Sequence, residues 1–174
     1  MPESLVNVGP QGNLPPPVAL GRFGVAADLL TVTVNRIGLK DAGEYIDGRM
    51  RVVLRNKLGN VVRDNDFVTP ISNNKEDQHI LFDHDVHIQH PFNEINEKCA
   101  LFFEFIHYKA MEKKLSCKAW SFMDMAEIRK AAKDGGSAVL EVYAKPVDPL
   151  HKRFNLLSVK QLYLHVTVNL QRSG

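Results

Sequence analysis

The sequence contains few cysteines. Cys99 and Cys117 are the only two in 174 residues, both lie in segments that we interpret as strands, and they show no Cys-x-x-Cys spacing. A disulfide between them is geometrically possible, but nothing in the sequence supports it. We therefore expect both cysteines to be reduced in an intracellular protein.

Long apolar runs are also missing. No segment approaches the roughly 20 apolar residues that are needed to cross a bilayer. The N-terminus lacks the basic segment followed by an apolar one that a secretory signal requires. These absences predict a cytoplasmic protein, so any membrane contact is expected to be peripheral.

Catalytic motifs are absent as well: the chain has no G-x-S-x-G, HExxH, GxxxxGK[ST] or GxGxxG sequence. A zinc site could use Asp85 and His87 in the polar segment 83–90, although exterior strand positions commonly carry such residues. A Cys117–His107 dyad can be drawn, but a buried structural cysteine is the stronger interpretation. We predict a non-catalytic protein without metal or cofactor.

Neither sign of charge dominates. The chain has 22 Lys and Arg against 20 Asp and Glu, a net charge of +2, and no stacking aromatic residues accompany the arginines. Nucleic-acid-binding domains usually carry a clustered basic excess. We therefore expect no nucleic-acid partner.

What the sequence does contain, from Asp28 onward, is alternation with period two. Leu30, Val32 and Val34 alternate with polar residues, which indicates a half-buried strand. Further strands are predicted over residues 50–54, 61–69, 78–89, 100–106, 119–125, 138–143 and 162–170. This pattern predicts an all-β fold, an eight-stranded antiparallel β-sandwich.

The helical and aromatic signals fit the same fold. One short helix is predicted from Met125 to Lys133, ended by Gly135 and Gly136. The large aromatic residues are predicted to fill the sandwich core; they are Phe102, Phe103, Phe105, Trp120 and Phe122.

The first 27 residues differ from the rest in composition. They are rich in Gly, Pro and Asn, with three consecutive prolines at 15–17. Such a segment cannot bury enough apolar surface to offset its ordering entropy. We predict a disordered arm over residues 1–27, a folded domain over 28–170 and a short tail over 171–174.

Five segments carry a resemblance to a known family. They are IGLKDAGEYID (37–47), TPISNNKED (69–77), LFFEFIHYK (101–109), FMDMAEI (122–128) and LYLHV (162–166). Together, in this order and at this spacing, they resemble the C2 domain of the axin interactor, dorsalization-associated protein family, over roughly residues 29–170. The resemblance implies an eight-stranded C2-type fold, binding to phosphoinositide or anionic membrane, and scaffold-type contacts with protein partners.

The resemblance also has limits. Vertebrate members of the family carry a helical domain ahead of the C2 domain, whereas only the short arm precedes it in this sequence. Partner contacts that belong to the helical domain are therefore not carried over. Related atypical C2 domains occur in ciliary and basal-body proteins, so that setting is a further possibility.

Many C2 domains bind calcium between two loops, and this chain matches half of such a site. Asp41 and Asp47 fit the acidic pair of the first loop, but His107 and Lys109 occupy the acidic positions of the later loop. An ammonium at Lys109 would replace the oxygen ligands that calcium requires, so we predict degenerate, calcium-independent loops. Asp41 and Asp47 could instead form turns, or one of them could pair with Lys109.

Two groups of basic residues could contact anionic phospholipid. The first shares one face of the second strand by parity and resembles a phosphoinositide groove; it comprises Arg49, Arg51, Arg55 and Lys57. The second lies at a predicted loop tip with apolar residues between its members; it comprises Lys109, Lys113, Lys114 and Lys118. A solvated strand face and a solubilising loop are the alternative interpretation of both groups.

Two functional hypotheses follow. The first is a calcium-independent adaptor that binds an anionic phospholipid membrane and recruits protein partners that the sequence does not identify. The second is a protein–protein scaffold without lipid affinity, ciliary or cytoskeletal in setting. In the scaffold, an exposed edge strand or the apolar residues Met111 and Leu115 would carry the contact.

Overall fold

The computed structural model describes residues 27–153, 155–158 and 161–172. The described strands are β1 (Leu29–Gly38), β2 (Ile46–Arg55), β3 (Val61–Val68), β4 (Lys75–Glu76), β5 (His79–His87), β6 (Ala100–Lys109), β7 (Lys114–Asp124), β8 (Ser137–Glu141), β9 (Tyr143–Ala144) and β10 (Tyr163–Gln171). One α-helix, α1, runs from Met125 to Lys133, and short 3₁₀ turns cover Ala42–Glu44 and Phe92–Glu94. The predicted arm lies outside the described residues except for Ala27, and so does the end of the predicted tail, 173–174.

The strands form two five-stranded antiparallel sheets. The first has the order β4-β5-β1-β10-β8, and the second has the order β3-β2-β6-β7-β9. Eight of the described strands have five residues or more, whereas β4 and β9 have two residues each. The predicted all-β antiparallel sandwich is therefore confirmed, with two minimal strands added at the sheet edges.

Alternation along the strands decides what lies between the sheets. Leu30, Val32 and Val34 of β1 are buried and face Met50 and Val52 of β2 across the core. Phe103 and Phe105 of β6 belong to the same buried cluster. Because successive side chains of a strand point to opposite faces, the residues between these positions must lie on the outside.

Some of the aromatic residues predicted for this core lie elsewhere. Phe102 and Trp120 are buried in a second cluster with Tyr143, and Phe122 packs against it. This cluster lies on the outer face of the second sheet, because Phe102 alternates with the core residues of β6. Residues 145–153 cover it, and the His151 ring stacks on Phe122 at 4.8 Å between centroids.

The helix α1 begins and ends where the sequence predicts. Asp124 caps it, because its carboxylate accepts a hydrogen bond from the Glu127 amide at 2.8 Å while Glu127 Oε1 accepts one from the Asp124 amide. The chain leaves the helix through Gly135 and Gly136, both with positive φ. Among the described residues, no helix is long and apolar enough to span a bilayer.

We expect Asp124→Ala to lower the free energy of unfolding by about 1 kcal/mol, because it removes the N-cap of α1. Urea denaturation would measure this change. The matched control is Asp134→Ala at the C-terminal end of the same helix, where a negative charge opposes the helix dipole. That variant should be neutral or slightly stabilising, and an equal loss in both variants would contradict the capping argument.

Candidate functional site: the loop end of the sandwich

Three connections meet at one end of the sandwich: the β1–β2 loop (39–45), the β3–β4 loop (69–74) and the β6–β7 turn (110–113). Strand pairing brings them together, because Ile46 at the start of β2 pairs with Tyr108 near the end of β6. An isolated bridge between Gly48 and Ser72 ties the β3–β4 loop to the same end. We call this region the loop end.

The two aspartates of the predicted calcium loop are held by neighbouring side chains. Asp41 accepts a hydrogen bond from the Tyr45 hydroxyl at 2.9 Å. Asp47 accepts one from Asn73 Nδ2 at 2.9 Å, and its amide donates to Asn73 Oδ1 at 3.0 Å. Asp47 also has φ +54, a left-handed conformation that aspartate tolerates in turns. Both carboxylates are thus held by side chains, and not by the neighbouring backbone amides that the turn interpretation expects.

His107 lies beside this pair as a buried aromatic group. Its ring meets the Tyr45 ring edge-on at 4.8 Å between centroids. Burial lowers the pKa of His107, and the nearby ammonium groups of Lys109, Lys118 and Lys145 lower it further. The imidazole is therefore held neutral at pH 7, and the structure brings Asp41, Tyr45 and His107 into one cluster.

Lys109 does not pair with Asp41 or Asp47, so the salt bridge considered from the sequence is not formed. Its ammonium instead lies 3.3 Å from Glu112 Oε2, three residues further along. Glu112 also lies 3.8 Å from Lys114 Nζ. The tight β6–β7 turn places Glu112 between the two lysines, and this local carboxylate is within easier reach than the aspartates of the first loop.

Sequence analysis missed the cation that does contact the first loop. The Lys75 ammonium donates to the backbone carbonyl of Tyr45 and, at 3.2 Å, to that of Gly43. Carbonyl oxygens are hard ligands of the kind that calcium also uses. The Lys75 ammonium therefore ties β4 to the β1–β2 loop through two backbone carbonyls.

Asp85 and His87, the residues considered for a zinc site, form hydrogen bonds with residues of the neighbouring strand β1. Thr33 donates to Asp85 at 2.6 Å, and the Thr31 hydroxyl lies 2.8 Å from His87 Nδ1. These contacts follow the β1–β5 register, so they are cross-strand pairs of an exposed face. Within the described ranges, no group of three or more His, Cys, Asp or Glu side chains could hold a metal ion.

The basic tip is shorter than the sequence suggested. Lys114 and Lys118 belong to β7, and Lys109 is the last residue of β6, so only residues 110–113 form the turn. Pairing continues to Lys109 and Lys114 because Lys113 adopts a left-handed φ of +52, which closes the hairpin tightly. Lys109, Lys113 and Lys114 therefore lie at a narrow tip, whereas Lys118 lies further along β7.

The tip also exposes apolar side chains. Met111 is 96% exposed, and Ile46 and Ile71 on the adjoining segments are 45% and 50% exposed. Leu115 is only partly exposed on β7, opposite Tyr108. The loop end thus combines a projecting methionine, two partly exposed isoleucines and three lysines of the β6–β7 hairpin.

The arginine row of β2 forms an internal ion network. Arg51 makes a bidentate contact with Asp66, at 2.8 and 3.0 Å, and a further contact with Glu104 at 3.1 Å. Arg55 contacts the other oxygen of Glu104 at 3.2 Å, and its guanidinium lies 5.6 Å from the centre of the Phe102 ring. Two carboxylates thus compensate the two arginines, whose side chains are only 12% and 13% exposed.

The other two members of the row are placed differently. Arg49 is half-buried, and burial lowers its pKa while the neighbouring Asp47 opposes that effect. Lys57 lies beyond the end of β2 in the exposed β2–β3 turn, at the opposite end from the β6–β7 turn. The structure therefore does not assemble the four basic residues into one open groove.

The two cysteines are free and separate. Cys117 lies opposite Ile106, and its thiol is 3.5 Å from the Ala119 carbonyl. Burial and the nearby Glu104 carboxylate raise the pKa of Cys117 to about 12. A nucleophilic cysteine needs a lowered pKa. The raised pKa of Cys117 therefore does not support the Cys117–His107 dyad.

Fold and loop end together define a C2-type β-sandwich domain, a class in which two sheets present loops at one edge. The family model described as axin interactor dorsalisation-associated protein, C-terminal, matches residues 20–168. The chain belongs to this family, and the resemblance carried by the five segments is confirmed.

Named relatives agree with this assignment. The axin interactor, dorsalization-associated protein of Danio rerio is 42% identical over 147 residues, covering 83% of this chain and 46% of the relative. The Homo sapiens protein is 37% identical over the same length, covering 83% and 45%. The B form of Xenopus laevis is 40% identical over 141 residues, covering 79% and 43%. The chain thus spans about half the length of these curated relatives.

We expect Glu104→Gln to lower the free energy of unfolding by about 3 kcal/mol, because two largely buried arginines lose their shared charge partner. The matched control is Glu97→Gln, which breaks an exposed bidentate pair with Arg129. That change should cost less than about 1 kcal/mol. Equal costs by urea denaturation would show that the network on β2 is no more than a surface feature.

The state of Cys117 is open to a chemical test. Because its pKa is raised, alkylation by iodoacetamide at mildly basic pH should be about a hundredfold slower in the native protein than in urea. Mass spectrometry of peptides containing Cys117 would follow the reaction. Rapid native labelling would contradict the raised pKa of this partly exposed thiol.

Proposed function

We propose that this domain is a calcium-independent adaptor that docks on anionic phospholipid surfaces through its loop end. The observation that supports it best is the projecting Met111, 96% exposed and flanked by Lys109, Lys113 and Lys114. A large apolar side chain surrounded by ammonium groups suits the boundary between phospholipid headgroups and acyl chains. There the apolar part leaves water while the charges meet phosphates.

Charge counting favours the loop end over the arginine row. At the β6–β7 turn, three lysines (109, 113 and 114) outnumber one glutamate, Glu112, whereas the neighbouring β1–β2 loop carries Asp41 and Glu44 against Lys40. A cation near an anionic membrane surface contributes about 1 kcal/mol, so such an excess supports weak but useful docking. Arg51 and Arg55, in contrast, are compensated by Asp66 and Glu104 and add little to the surface charge.

Calcium independence rests on the contacts of the first loop. Asp41 and Asp47 already have hydrogen-bond partners, and the Lys75 ammonium contacts two carbonyls of the same loop. His107 and Lys109 contribute no anionic oxygen. The loop end is therefore ordered by groups of the chain itself, and a divalent ion is not needed to shape it.

The adaptor part of the proposal draws on the relatives, which are named as interactors of axin. For this chain we infer a protein partner of the same general kind, brought to a membrane by the loop end. We therefore infer that the protein is cytoplasmic and lies peripherally at membranes. A protein scaffold without lipid affinity is the second candidate, because exposed Met111 would suit a protein groove equally well.

Sedimentation of the purified chain with vesicles tests the docking. We expect binding to vesicles that contain phosphatidylserine or phosphoinositide, unchanged by calcium or chelator and weakened by added salt. Binding only in calcium would contradict the proposed role of Lys75. No binding under any condition would favour the protein scaffold.

Charge reversal locates the contact. Lys113→Glu combined with Lys114→Glu should weaken vesicle binding by more than about tenfold, because two favourable interactions become repulsive. The matched control is Lys130→Glu with Lys133→Glu on α1, two exposed lysines at the opposite end of the sandwich. A uniform loss in both double variants would indicate attraction by net charge rather than docking through the loop end.

A further inference from the structure

A second basic cluster lies outside the surfaces described so far. On the outer face of the first sheet, Arg36 of β1 pairs in register with His165 of β10. His79 of β5 faces Gly38, two residues further along β1. The rings of His79 and His165 lie 5.9 Å apart between centroids, so the two imidazoles approach each other across β1.

Alternation fixes these three side chains on the outside. Ile37, Ile80 and Leu164, their neighbours in sequence, are 0–1% exposed and belong to the sandwich core. Arg36 is exposed, while His79 and His165 are partly exposed. A solute can therefore reach all three groups.

Arg36 lacks a compensating carboxylate, in contrast to Arg51 and Arg55. Within the part of the chain that the structure describes, it has no ion pair or side-chain hydrogen bond. A guanidinium that is not already engaged retains its full set of donors, which suits a tetrahedral oxyanion. The two imidazoles beside it can supply further N–H donors.

We propose that Arg36, His79 and His165 form a binding site for a phosphate-class anion. The guanidinium would contact two oxygens of the anion, and each imidazole would donate one hydrogen bond to it. This site goes beyond the docking proposed for the loop end, because it involves the other sheet and different side chains. It lies next to the β1–β2 loop, since Gly38 is the last residue of β1 and Gln78 donates to the Lys40 carbonyl.

Arg36 favours an anion over a metal cation at this place, whereas Glu76, opposite His79 in the β4–β5 register, opposes it. Burial and Arg36 lower the pKa of both histidines, and His79 lowers that of His165 further. The carboxylates near His79 are Asp77 and Glu76, whose effect on its pKa is opposite and smaller than that of Arg36. On the other side, β8 places the apolar Val139 opposite His165. A bound anion would favour the imidazolium forms, so binding should tighten as the pH falls.

Nuclear magnetic resonance of the histidine side chains tests the site directly. Inorganic phosphate and sulfate are titrated separately, with sodium chloride at equal ionic strength as the reference. We expect both oxyanions to shift the His79 and His165 signals and to leave His90 unmoved. Because the charge of sulfate is constant near neutral pH, its binding should tighten about tenfold between about pH 8 and pH 6.

Variants separate a site from general charge attraction. Arg36→Gln should weaken sulfate binding about tenfold, the effect of losing a charge-assisted hydrogen bond, and His165→Gln should reduce the pH dependence, which His79 then supplies alone. His90→Gln, a histidine outside the cluster, is the matched control and should behave as the original chain. Thermal unfolding of each variant checks that the exposed substitutions leave the fold intact.

Vesicles identify the source of the anion. Vesicles with phosphatidic acid are compared with vesicles of equal charge made with phosphatidylserine. A preference for phosphatidic acid that Arg36→Gln removes would assign the site to a lipid phosphomonoester. Sulfate and phosphate shifts without that preference would assign it to a soluble phosphate.

The proposal is overturned if neither oxyanion moves the His79 and His165 signals beyond the chloride reference. It is also overturned if Arg36→Gln binds sulfate as tightly as the original chain. Both results are independent of the Lys113 and Lys114 variants, so failure of this site and failure of loop-end docking remain distinguishable.

Discussion

Burial of one face of each sheet against the other is the constraint on which the rest of the structure depends. Val32 and Val34 face Met50 and Val52 across the core, and this arrangement fixes which side chains of each strand point inward. Every intervening residue is then committed to the outside. The charged, polar and aromatic groups of the two outer faces are consequences of that commitment.

The outer face of the second sheet is not an open basic surface. Glu104 lies between Arg51 and Arg55, and it is almost fully buried because the aromatic cluster of Phe102 and Trp120 continues the same face. An ion pair in such surroundings holds its partners in fixed positions. The network therefore acts as a rigid part of the fold and not as free positive charge.

The sequence predicted the strands, their antiparallel packing and the helix 125–133, because hydrophobic period and capping residues are local signals. It did not predict the partners of the arginines, since Glu104 is 53 residues from Arg51 in sequence. The outward position of Phe102 and Trp120 depends on residues 145–153 folding over them, a contact between distant segments. The role of Lys75 was hidden for another reason: its partners are backbone carbonyls, which leave no mark in residue type.

Lys75 gives the loop end a property that a metal site lacks. A bound ion exchanges with solvent, so the order of the loops around it rises and falls with the concentration of that ion. The Lys75 ammonium, in contrast, is part of the chain, so every molecule carries one. The contacts that Lys75 makes with the first loop consequently do not vary with the concentration of a free ion.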